Sequence, residues 1–130
     1  MASYDDLTLY TYGTSARPML NIGWLGTGSP FPTGDTPPEV IDGLLVLADN
    51  QQNIMRGLHH CEFCDEESPV RLPAPRARRG WVSLGMGELH ARGEDGVLYS
   101  APSLVIHYIL RHRYSPPTPF QAAVLATVKE

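Results

Sequence analysis

His59-His60-Cys61-Glu62-Phe63-Cys64 is the stretch on which the reading of this chain turns. Together with the distant string His107-Tyr108-Ile109-Leu110-Arg111-His112 it holds both cysteines and four of the five histidines of a 130-residue sequence. Two thiolates separated by two residues can meet one ion from a single tight turn. Two histidines with four residues between them have the spacing allowed for the other half of a Cys2His2 site. Thiolate and neutral imidazole suit zinc, which prefers four ligands when its role is structural. Cys61, Cys64, His107 and His112 are therefore candidate ligands of one structural Zn2+.

Helix geometry complicates that set. Residues five apart on an ideal helix point about 140° away from each other, so His107 and His112 share an ion only if the last turn loosens. The following Tyr114-Ser115-Pro116-Pro117 favours such loosening. A second set takes His59 or His60 with Cys61, Cys64 and His107 and leaves His112 to cap the helix C-terminus. The plain alternatives are a chance Cys-x-x-Cys, with histidines that merely pack or cap, and a redox pair. The redox reading fits poorly, because Glu62, Asp65, Glu66 and Glu67 would raise the thiol pKa rather than lower it.

Catalytic zinc chemistry would need an open position and a general base, for which Glu62 and Glu88 are the candidates. A zinc deaminase sets its His-x-Glu apart from its Cys-x-x-Cys, whereas here His60-Cys61-Glu62 overlaps the cysteine pair. A structural site is preferred to an enzyme on this basis. Glu88, in a strand between Gly87 and Leu89, could alternatively orient a ligand histidine by a hydrogen bond, an exposed strand carboxylate being the commoner outcome.

The chain has 14 acidic and 10 basic residues, a formal net charge of −4, and 42% hydrophobic residues. That is enough apolar material for one core and one domain spanning residues 1–130. The acidic balance argues against a protein built to wrap nucleic-acid phosphates. No run approaches the roughly 18 apolar residues of a membrane span, and Met1 to Tyr12 lacks the basic and then apolar order of a signal peptide. A cytoplasmic location, where cysteines stay reduced, is the expectation.

Outward from the metal strings, Leu7 to Tyr12 alternates and Leu20 to Leu25 reads as a strand. Thr36-Pro37-Pro38-Glu39 is a capping box with proline in the first turn, opening a helix from about Pro37 to Asp49 with Val40, Ile41, Leu44, Leu45 and Leu47 on its apolar stripe. Gly57 to Cys61 reads as a strand or extended lead-in to the Cys-x-x-Cys turn. Residues 65–80, with Pro69, Pro73 and Pro75 among Arg71, Arg76, Arg78 and Arg79, read as a long mobile loop. Its arginines, with Trp81 beside them, would be the route to an RNA-binding role. Strands follow at Trp81 to Leu84, Glu88 to Arg92 and Val97 to Ala101, the last two joined by a Glu94-Asp95-Gly96 turn. Pro102 opens a helix ending near Arg113, and Thr118-Pro119-Phe120-Gln121 caps a final one. Three helices and about five short, mainly antiparallel strands in mixed order make an α+β domain stapled by one metal site.

With these pieces in place the chain resembles an uncharacterised family of small bacterial proteins. The likeness is carried by Asp6-Leu7-Thr8-Leu9-Tyr10-Thr11-Tyr12, Asn21-Ile22-Gly23-Trp24-Leu25, His59-His60-Cys61-Glu62-Phe63-Cys64, Gly87-Glu88-Leu89, and Tyr99-Ser100-Ala101-Pro102 through His107-Tyr108 to Tyr114-Ser115-Pro116-Pro117 and Phe120. The resemblance implies a single compact domain, puts His59 ahead of His60 as a ligand, and makes Pro69 to Arg79 an insertion. It attaches no activity. By analogy with small acidic proteins encoded beside bacterial toxins, the expected role is a protein-binding module of the immunity or accessory type. The expected partner is another protein rather than nucleic acid or membrane. The rivals are a zinc-dependent hydrolase between the Cys61–Cys64 turn and the His107 helix, and an RNA-binding module.

Overall fold

A computed structural model describes residues 3–10, 18–54 and 58–129. The expected alternation through Thr11 and Tyr12 and the start of the lead-in at Gly57 lie outside the described residues. The elements in chain order are β1 (Met19–Asn21), α1 (Pro38–Ala48), β2 (Val70–Pro73), β3 (Trp81–Leu84), β4 (Glu88–Arg92), β5 (Leu98–Pro102), α2 (Val105–His112) and α3 (Thr118–Val128). The expected α+β class is the observed one.

Strand β5 is central, parallel to β1 on one side and antiparallel to β4 on the other. Its last four residues, Tyr99 to Pro102, are all buried, as a strand flanked on both edges requires. The β4–β5 hairpin turns where the sequence indicated. Gly96 sits at φ 87°, a conformation open to glycine, while Gly93 N–H donates to the Val97 carbonyl at 2.9 Å.

Helix α1 buries Val40, Gly43, Leu44 and Ala48, residues three or four apart on one face. That face packs on α3, β4 and β3. Ile22, Leu44, Leu84, Leu89, Leu104, Ile106, Tyr114 and Phe120 form the centre of the core, each large apolar side chain contributing about 1.5–3 kcal/mol. A Cβ on Gly43 would come within 2.8 Å of Val124 Cγ1, so glycine sets the approach of α1 to α3. Gly43→Val should cost about 1–3 kcal/mol by overpacking, read as a lower urea midpoint with an unchanged slope.

Three local expectations are corrected. Neither capping box forms: Pro37 and Pro117 occupy the cap positions without side-chain hydrogen bonds. Thr36 Oγ1 is buried without a partner, and Gln121 Nε2 donates to the Pro116 carbonyl instead, at 2.9 Å. Pro102 ends β5 rather than opening α2, because the ladder runs on to the Glu88–Pro102 pair and Ser103 N–H donates to the Gly87 carbonyl at 2.8 Å. Within the 65–80 segment read as a loop, Val70–Pro73 is a strand, antiparallel to β3. Val70 is buried and Arg71 exposed, so the strand's alternation was present but broken up by prolines.

No helix among the described residues is long and apolar enough to cross a membrane.

Candidate metal centre

The segment after Leu58 is irregular chain, fixed by separate hydrogen bonds rather than by a strand. His59 N–H donates to the Gly85 carbonyl at 2.6 Å. Ser68 Oγ–H donates to the His59 carbonyl, and Ser68 N–H to His60 Nδ1 at 3.1 Å. Between those anchors the chain turns at Cys61–Cys64. Phe63 N–H donates to Cys61 Sγ at 3.3 Å, and Glu62 Oε1 accepts from Thr27 N–H at 3.2 Å. Both pin the turn.

Helix α2 faces this turn, and His112 is its last residue. Arg113 follows in the left-handed region at φ 57°, and Tyr114 N–H returns to the Tyr108 carbonyl at 3.1 Å. This helix end brings the His107 and His112 rings to a centroid separation of 5.2 Å. The loosening required of the last turn is thus supplied by its termination.

One ligand atom each from Cys61, Cys64, His107 and His112 lies within 4.8 Å of all the others. Cys61 Sγ is 3.4 Å from His112 Nε2, and Cys64 Sγ is 3.4 Å from His107 Nε2. Zinc bond lengths in a tetrahedron put sulfur and nitrogen about 3.5 Å apart. The donor set fits a metal ion in both chemistry and spacing.

Local electrostatics agree. Burial holds the pKa values of His107 and His112 below the ordinary imidazole range, helped for both by Arg111, so both rings are neutral donors at pH 7. Burial also pushes the Cys61 thiol up, against the lowering bond from Phe63 N–H, so a metal would have to displace a proton there. Phe63 lies 5.5 Å from the His112 ring and 5.9 Å from Tyr108, centroid to centroid, and walls one side of the site.

Glu66 is the residue that sequence reasoning missed. Its Oε1 stands 3.8 Å from His107 Nδ1 and 3.4 Å from Arg111, placing a carboxylate behind the imidazole whose Nε2 faces Cys64. At that distance it acts on His107 as a neighbouring charge, raising the basicity of the ring against the larger lowering by burial. The available signal was an acidic residue two positions beyond the second cysteine.

Two candidates stand apart from this cluster. Glu88 does not touch the candidate ligands, and it is buried rather than the exposed strand carboxylate expected. Its buried carboxylate accepts from Tyr10 OH (2.8 Å), Asn53 Nδ2 (2.9 Å), His90 Nε2 (2.9 Å) and Ser100 Oγ (3.2 Å). His59 does not join the four-residue group either. Its ring stacks near Trp24 at 6.3 Å, and both ring nitrogens are buried without hydrogen-bond partners.

Burial lowers the His59 pKa to about 4. Because the folded value lies below the ordinary 6.5, the stability owed to neutral His59 is complete above pH 6.5 and is lost as pH falls toward 4, reaching about 3 kcal/mol. His59→Phe removes two unsatisfied polar atoms at little change of shape. It should leave stability at pH 7 unchanged or raised by about 1 kcal/mol, keep bound metal, and flatten that acid limb in urea melts. Loss of metal from this variant would instead make His59 a ligand.

The geometry defines a class: a small α+β domain with a Cys2His2 donor cluster joining a turn to a helix end. The chain belongs to DUF7919, a family described as a domain of unknown function, whose model matches residues 2–125. Comparison with curated proteins and with solved structures gives no match.

Proposed function

We propose that Cys61, Cys64, His107 and His112 hold one structural zinc ion, and that the domain so stapled works by binding another protein, as immunity and accessory proteins do beside bacterial toxins. The observation that carries the metal reading is the convergence of two sulfur and two nitrogen donors within 4.8 Å. The ion, when bound, supplies a cross-link between the 61–64 turn and α2. Four protein donors fill a tetrahedral shell, which is the arrangement of structural rather than catalytic sites. The candidate bases support the same side of the choice: Glu88 is committed to four donors and Glu62 to Thr27. With the shell filled, the remaining means of acting is the surface.

Two free thiols fit a reducing compartment, and we place the protein in the cytoplasm. The test is affinity capture from the native host with the zinc-loaded chain, repeated with metal-free chain. A protein partner retained only by the loaded form supports the reading. A zinc-dependent hydrolytic activity in the purified chain contradicts it.

A further inference from the structure

The 65–80 segment carries four of the ten basic residues of the chain, Arg71, Arg76, Arg78 and Arg79. Because β2 pairs with β3 in the register Arg71–Ser83 and Pro73–Trp81, Arg71 and Trp81 are diagonal neighbours on the outward face of the hairpin. The Arg71 guanidinium lies 4.7 Å from the centroid of the Trp81 ring, and that of Arg79 lies 5.7 Å from it. Stacking on an indole restrains two long side chains that would otherwise be free, while leaving their N–H groups available.

Neither guanidinium has a carboxylate partner among the described residues, whereas Arg78 is paired with Asp49 at 3.3 Å. Beside them opens a hollow of about 520 Å³, lined by Arg71, Arg78, Arg79, Trp81, Gln51 and Met86 among others. It offers charge, an aromatic surface and apolar floor together.

We infer that the Arg71–Trp81–Arg79 face of the β2–β3 hairpin is a docking site for an acidic segment of a partner polypeptide. The inference rests on the reading of the domain as a protein-binding module and names its surface. Paired planar guanidinium groups match carboxylates two hydrogen bonds at a time. A short acidic segment interacts with them within a screening length of about 8 Å, and so escapes most of the repulsion of a chain with net charge −4. Extended nucleic acid fits less well, since it needs a basic track along its backbone. Among the described residues no basic track is seen to continue from the hairpin: Asp49 stands at the rim of the hollow, and Arg111 and Arg113 are paired with Glu66 and Asp35.

The test titrates the full-length zinc-loaded chain with fluorescein-labelled octaglutamate, and in parallel with an oligodeoxythymidylate of equal charge, at low and raised salt. Octaglutamate should bind, more weakly as salt rises. The double variant Arg71→Ala/Arg79→Ala should bind it at least about tenfold more weakly with an unchanged thermal melt. Arg71→Lys/Arg79→Lys, which keeps charge without stacking or bidentate geometry, should show an intermediate loss. No binding of octaglutamate, or equal binding by wild type and both variants, overturns the proposal. So does tighter, arginine-dependent binding of the oligonucleotide. A host protein captured equally by wild type and the alanine double variant would leave the protein-binding reading standing and remove this surface from it.

Discussion

Cys61→Ser will leave the chain without stoichiometric zinc and without a cooperative unfolding transition. The turn that carries Cys61 is irregular chain, held by Glu62 accepting from Thr27 and by Ser68, whose Oγ–H donates to the His59 carbonyl and whose N–H donates to His60 Nδ1. In small structural sites the metal contributes on the order of 10 kcal/mol at neutral pH, comparable with the whole stability of a domain, about 5–15 kcal/mol. A strong chelator should therefore act on the wild type as the substitution does. Zinc uptake should also release protons, because the Cys61 thiol is held protonated by burial while His107 and His112 are already neutral. Uptake will weaken as pH falls. Calorimetry in buffers of different ionisation enthalpy reads the proton release. Equal thermal melts with and without chelator would contradict the prediction.

Glu88→Ala is expected to cost about 3–5 kcal/mol, as removal of one partner from a buried charged network does. The carboxylate is 3% exposed and gathers Tyr10 from the N-terminal segment, Asn53 from the chain after α1, His90 on its own strand and Ser100 on β5. Alanine would orphan these donors and loosen the N-terminal segment from the sheet. Desolvation pushes the Glu88 pKa up, but the bonds from His90, Asn53 and Tyr10 outweigh it, and the net value lies below the ordinary 4.5. A carboxylate depressed in the folded state stabilises above its unfolded pKa, and the contribution is lost as pH falls through the folded value. The wild type should thus lose stability below pH 4.5 more steeply than Glu88→Ala. Urea midpoints measured from neutral to acid pH will show both effects. Parallel acid limbs, or a neutral-pH difference below about 1 kcal/mol, would mean the network carries little net energy.

Where a residue pattern was regular, it could be read directly. The apolar stripe Val40, Ile41, Leu44, Leu45 and Leu47 marked α1, although only Val40 and Leu44 of it are fully buried, beside Gly43 and Ala48, and Glu94-Asp95-Gly96 turns a hairpin. The Cys and His strings converge because their spacing suits one centre. What stayed hidden depended on partners far along the chain. The β2 alternation was obscured by Pro69 and Pro73, whose loop-like character is overruled by pairing with β3. Thr36 and Thr118 do not cap because each follows or precedes prolines that take the cap geometry themselves. The choice among histidines turned on where α2 ends. Periodicity can suggest that end, but only the left-handed Arg113 and the Tyr114-to-Tyr108 bond define it. Glu88, a candidate partner of the ligand histidines, proved to be the centre of a different buried network, and the carboxylate nearest His107 is that of Glu66.

The claim on which the rest depends is that one ion is held by two thiolates and two imidazoles. Zinc K-edge X-ray absorption on the purified chain, with metal content measured on the same sample, tests it most directly. The expected result is one zinc per chain with two sulfur neighbours at about 2.3 Å and two nitrogen neighbours at about 2.0–2.1 Å, unchanged in His59→Phe. A chain that binds no zinc after reconstitution, or a shell with an exchangeable water in place of one protein ligand, would contradict it.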